Sequence, residues 1–125
     1  MIWLICMAGG VGAVSRYHLD RTIESAVDKR IQRYLLPYGT LSVNIIGSFI
    51  IGFITVMMDN PVVAIITTGF CGGFTTFSTY CWQLVEQILQ RRSSAAITYC
   101  LLTSCLCLFA VWLGMNCADL LVAFV

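Results

Sequence analysis

The chain has 125 residues, of which 59% are apolar and only 10% charged, and its mean hydropathy is +0.89. That leaves too little charged side chain to cover a soluble surface of this size, so the sequence describes an integral membrane protein. A net charge of +1 supplies no basic patch to neutralise a phosphate backbone, which excludes nucleic acid as a partner.

A hydrocarbon core of about 30 Å asks for roughly 20 apolar residues per helix, and four such runs are separated by polar breaks. The expected architecture is all-α, one four-helix transmembrane unit over residues 1–125. The first helix is expected at about 2–19. No basic stretch precedes it and Arg16 follows its apolar run, so it reads as a retained span and not a cleaved signal. Gly9, Gly10, Gly12 and Ala13 suit close helix approach. Arg16 and Asp20 stand four apart near its end, either as a snorkelling pair at the interface or in a structural or vestibule role.

Over 21–36 the chain turns polar, yet Ile23, Val27, Ile31 and Leu35 recur every four residues opposite Glu24, Asp28, Lys29 and Arg33. This pattern predicts an amphipathic helix lying on the membrane surface. Pro37 and Gly39 end it. The second span is expected at about 40–58, closed by Asp59-Asn60-Pro61, with Thr40, Asn44 and Ser48 on one polar stripe at i, i+4 and i+8.

The third region, 62–89, would be roughly 42 Å long as one helix, so it must tilt strongly or break. Within it lies GFCGGFTTFSTY, residues 69–80, where a lipid-facing helix would carry leucine. Gly69 and Gly73 by themselves fit a G-x-x-x-G packing face equally well. The hydroxyls of Thr75, Thr76, Ser78 and Thr79 cannot all back-bond without loosening the helix, which favours a break near 72–76. Irregular backbone at membrane depth is tolerated where it faces protein or a wet cavity. Phe77 and Tyr80 share a face of the following half-helix, as packing rings or as ring edges able to meet an anion.

The fourth span is expected at about 94–115 or beyond, with Tyr99, Thr103 and Cys107 forming a polar track that fades at Val111. All seven Lys and Arg residues lie in or beside the first and third connections. The positive-inside rule then places those connections in the cytoplasm and both termini outside. The seven cysteines contain no C-x-x-C pair, and the lone His18 lies apart from the Cys105-Leu106-Cys107 spacing. In apolar helices they are expected to act mostly as small hydrophobes.

The residues G-T-L-x-V-N at 39–44 with Gly47, and T-T-G-x-C-G-G-F-T-T-F-S-T at 67–79, together with the glycines and Arg16 of the first helix, resemble the Fluc (CrcB) family of fluoride channels. The resemblance runs the length of the chain. It implies an antiparallel dimer with two narrow pores and a structural sodium ion at the interface, held here by the Gly72 and Thr75 carbonyls. It assigns the fluoride pore to Asn44, Phe77, Tyr99 and Thr103, and Arg16 to the basic position near the end of the first helix. Thr40, Ser48 and Thr79 complete the expected pore set as neighbouring hydroxyls. Tyr80 stands where a second pore phenylalanine is expected, and Cys107 and Val111 replace hydroxyl residues of the track.

The expected function is passive, selective export of cytoplasmic fluoride across the plasma membrane, with no enzymatic activity. A homodimer inserting both ways calls for balanced charges, so this biased chain is expected to pair with an oppositely oriented paralogue, a second copy remaining the alternative. A structural partner subunit with a degenerate pore is the rival reading. A small drug exporter would want an embedded acid, whereas Asp20, Glu24, Asp28, Asp59, Glu86 and Asp119 all lie near helix ends or connections. A thiol oxidoreductase would want a C-x-x-C.

Overall fold

The computed structural model describes residues 1–27 and 36–124. Helix α1 runs over Ile2–Ala26, past the expected end near residue 19. Residues 20–26 contain neither Gly nor Pro, and Thr22 back-bonds to the His18 carbonyl at 2.7 Å, so nothing stops the helix before Val27 turns extended. The first turns of the expected surface helix therefore belong to α1. The rest of that expectation, over 28–35, lies outside the described residues.

Helix α2 spans Tyr38–Met57, immediately after Pro37, whose missing N–H costs nothing at a helix start. The third region is segmented: α3 is Val62–Ala64, a π-helical stretch follows over Ile65–Cys71, and α4 is Gly72–Phe74. The backbone then leaves the helix over 75–77, with Thr75 extended at φ −78°, ψ 160°, before α5 resumes over Ser78–Leu89. The expected break is present, at the C-terminal edge of the predicted window. Helix α6, Ser93–Phe124, carries the fourth span beyond residue 115 through the apolar tail.

The corner between α5 and α6 is a Schellman cap. Arg92 N–H donates to the Gln87 carbonyl and Arg91 N–H to Ile88, with Arg91 left-handed at φ 58°.

By length and composition, Tyr38–Met57, Val62–Leu89 and Ser93–Phe124 can each cross a membrane. Helix α1 carries Arg16, His18 and Asp20 in its second half, but its outer face is apolar, with Trp3, Met7, Val11 and Val14 exposed. Helices α2 and α6 pack closely through glycines: a Cβ on Gly52 would strike the Val111 backbone, and one on Gly114 the Phe49 carbonyl. Helix α1 seats on the π-helical stretch and α4 in the same way. A Cβ on Gly12 would run into the Phe70 carbonyl, while one on Gly10 meets nothing within 4 Å. These approaches bury Leu41, Val43, Cys71, Phe74 and Tyr99 and fix the break against α2.

Gly12→Ala is therefore expected to destabilise the fold by about 1–3 kcal/mol, the usual cost of overpacking a tight contact, while Gly10→Ala leaves it unchanged. Thermal unfolding of the two variants in detergent measures the difference.

Candidate ion pathway at the break in the third span

Breaking a helix at membrane depth frees backbone groups that must find partners. Thr75 closes the first half: its N–H and its Oγ1 both donate to the Cys71 carbonyl, at 2.8 Å and 2.9 Å. Thr76 turns to α2. Its N–H donates to Asn44 Oδ1 at 2.8 Å and its carbonyl accepts from Asn44 Nδ2 at 3.0 Å, so the amide replaces a missing backbone neighbour on both sides. Thr76 Oγ1 then accepts the Thr79 N–H at 3.2 Å, capping the start of α5, and donates to Thr79 Oγ1 at 3.1 Å.

The displaced backbone leaves a pocket of about 320 Å³ between α2, the break and α6. Asn44, Ser48 and Ile51 line it from α2, Thr75, Thr76 and Phe77 from the break, Tyr80 from α5, and Thr103, Ser104 and Cys107 from α6. Among the described residues, no carboxylate lines it. Asn44 spends one N–H on Thr76 and has two, so a second donor remains. Thr103 is 7% exposed and its Oγ1 has no hydrogen-bond partner among the described residues.

Two expected pore residues, Thr40 and Tyr99, do not line this pocket. Both are fully buried and are joined one step beyond it. The Tyr80 and Tyr99 rings lie 5.3 Å apart, Tyr99 Oη donates to Gln83 Oε1 at 3.0 Å, and Gln83 Nε2 donates to Thr40 Oγ1 at 2.8 Å. Gln83 is thus the hub that reading the sequence missed. Its signal was available, because Phe77, Tyr80 and Gln83 recur every three residues along one face of α5. Thr79 was expected in the pore set; its Oγ1 accepts from Thr76 Oγ1, the residue is exposed, and it is not among those lining the pocket.

Arg16 turns inward. Its guanidinium donates to the Thr75 carbonyl at 3.4 Å, so it serves the break instead of snorkelling. Asp20 packs against Gly39 at the start of α2, where burial raises its carboxyl above the usual carboxylate range and the Arg16 guanidinium opposes the shift.

The carbonyls of Gly72 and Thr75 lack their ordinary helical donors, since the Thr76 and Thr79 N–H groups go to Asn44 and to Thr76 Oγ1. Neutral carbonyl oxygens of this kind suit a hard cation, which wants more oxygens than one chain offers here. The Arg16 guanidinium takes only one of the two lone pairs on the Thr75 oxygen.

Fold and site define an all-helical membrane protein whose third span opens onto a donor-lined pocket. The family model described as "CrcB-like protein, Camphor Resistance (CrcB)" matches residues 3–115, and the chain belongs to that family. It is 34% identical over 123 residues to a "Fluoride-specific ion channel FluC" of Geobacter sulfurreducens, covering 94% of this chain and 95% of the relative. To the protein of the same name in Sulfurovum sp. it is 36% identical over 111 residues, covering 86% and 84% of the two chains.

Asn44→Ala should leave both Thr76 backbone groups unpaired, at about 1–3 kcal/mol for each buried group. The expected result is a clear drop in melting temperature in detergent, together with faster hydrogen exchange confined to the break.

Proposed function

We propose that the chain is a subunit of a fluoride-selective channel through which cytoplasmic fluoride leaves passively, down its gradient, after entering as HF in an acidic environment. One observation carries this: the pocket at the break offers amide and hydroxyl donors without a carboxylate among the described residues, in a chain whose relatives bear the name of fluoride-specific channels.

Fluoride is small and strongly hydrated, so a path for it must replace water with donors at close range. The second N–H of Asn44 and the hydroxyls of Ser48 and Thr103 can do so, with the positive ring edges of Phe77 and Tyr80 completing the wall. Chloride would be excluded mainly by size. The Thr40–Gln83–Tyr99 chain extends the polar seam toward the basic connections. In the hydrogen-bonding pattern present, the Tyr99 proton is spent on Gln83 while Thr40 accepts, so Thr40 keeps a hydroxyl proton for the ion.

A second subunit completes the assembly. Phe77 is 77% exposed and Gly72, Ser78 and Thr79 are exposed beside it, a polar, broken surface that lipid cannot cover. The resemblance implies that the partner lies antiparallel. Seven basic residues at the first and third connections, with none at the second, orient this chain with those connections in the cytoplasm of the plasma membrane and both termini outside. They favour an oppositely oriented paralogue over a second copy. The Gly72 and Thr75 carbonyls of the two subunits together would hold a structural sodium ion, whose charge helps fix the pair.

The rival assignment, a structural subunit whose own pore is dead, is favoured by Tyr80, Cys107 and Val111 in the track. Reconstitution into fluoride-loaded liposomes separates the two. With potassium and valinomycin removing the opposing voltage, a fluoride electrode should record efflux from the chain with its partner. Asn44→Asp should abolish it by placing a carboxylate in the anion's path and removing the donor to Thr76, and efflux near the parent level would refute the assignment.

Gly72 has nothing within 4 Å of an added Cβ. Gly72→Leu should therefore leave the subunit folded while preventing dimer formation, as read by cross-linking in the membrane.

A further inference from the structure

We infer that Ser104 of α6 latches the Tyr80 hydroxyl, and that the latch holds the Tyr80 ring in the pocket wall and slows the passage of fluoride. The slowing half rests on the pocket being the ion path proposed above; the latch itself does not.

Tyr80 stands in the first turn of α5, and it lines the pocket together with Ser104 of α6. Its hydroxyl has Cys100 and Ser104 as side-chain hydrogen-bond partners, two residues one turn apart on the same face of α6. The direction of the bond to Ser104 is settled by a count of protons. Ser104 has a single hydroxyl proton and donates it to the Cys100 carbonyl at 2.9 Å, which leaves its oxygen only as an acceptor. The phenol is therefore the donor, and the Cys100 sulfur beside it is the weaker acceptor of the two. With its proton spent on α6, Tyr80 offers the pocket its ring.

That ring is also backed on its flank. It lies 5.3 Å from the Tyr99 ring at 53°, and Tyr99 is fully buried and fixed by its own bond to Gln83 at 3.0 Å. On the other side the Phe77 ring lies 5.9 Å away at 37°. Phe77 has no hydroxyl and is 77% exposed. Of the two rings in the pocket wall, Tyr80 is the one tied at its far end.

A ring edge attracts a passing anion, but the ring can follow the ion only if it is free to move. Tyr80 backs onto Tyr99 and is tied to α6, so its movement breaks the bond to Ser104. The net worth of one neutral hydrogen bond is thereby added to the barrier, which corresponds to about two- to tenfold in rate. Removing one oxygen, as in Tyr80→Phe, keeps the ring and releases the latch.

The test compares the parent, Tyr80→Phe, Ser104→Ala and the double variant, each in its native assembly. Ultraviolet Raman spectra of the tyrosine ring doublet report whether a phenol donates its proton. Ser104→Ala should change the doublet in the parent and leave it unchanged in the Tyr80→Phe background, while Ser104→Thr, which keeps the acceptor, should restore the parent spectrum. In fluoride-loaded liposomes each single variant should raise efflux about two- to tenfold, and the double variant no further than either single one. A doublet that ignores Ser104→Ala would overturn the latch. A changed doublet with unchanged or slower efflux, or gains that multiply in the double variant, would overturn the slowing half. Should neither the parent nor any variant conduct fluoride, the slowing half falls together with the pocket as the ion path, and the doublet alone still decides the latch.

Discussion

The pairing of the Asn44 amide with both backbone groups of Thr76 is the interaction on which the rest of the structure depends. Inside a bilayer an unpaired N–H or carbonyl costs more than the side-chain bonds of a typical surface contact contribute, so irregular backbone survives only where its polar groups are met. Asn44 meets two at once, at 2.8 and 3.0 Å. From that follow the extended Thr75, the cap made by Thr76 Oγ1 and the fresh start of α5 at Ser78. The pocket opens beside Thr75, Thr76 and Phe77, where the backbone leaves the helix. Placing Asn44 there in turn needs α2 to sit close to the break, and the glycine contacts among α1, the π-helical stretch, α2 and α6 provide that approach.

Beyond the pocket, polarity passes through direction as well as presence. Tyr99 donates to Gln83, and Gln83 donates to Thr40, so each of the three groups has a defined partner and the protons are ordered along the seam. A carboxamide at the hub can accept on one side and donate on the other without carrying charge. A neutral bridge of this kind joins two buried hydroxyls without the desolvation penalty that an ionised group would bring.

Charge is held at the margins except for one guanidinium that reaches the break. Arg16 reaches the Thr75 carbonyl from α1, and Asp20 is tucked against Gly39 at the positive end of α2, while Arg91 and Arg92 form the cap between α5 and α6. Apart from that guanidinium, the middle of the molecule is left to dipoles, hydroxyls and ring edges. That arrangement suits a small anion in passage better than one held tightly, because binding must be weak enough for release.

The sequence alone determined the membrane class, the number of apolar runs and the break, because hydropathy and the density of Gly, Ser and Thr act locally on backbone hydrogen bonding. It also placed Asn44, Ser48, Phe77, Tyr80 and Thr103 in one site, through helical spacing and family resemblance, and the pocket gathers all five. It did not determine that Arg16 turns inward or that Gln83 links Tyr99 to Thr40. Each of these depends on a contact between segments far apart in the chain: 59 residues from Arg16 to Thr75, 43 from Thr40 to Gln83. Periodicity says which residues share a face of one helix. Only the packing of α1, α2, α5 and α6 decides which faces meet, and therefore which polar groups must satisfy one another and which are left for the ion.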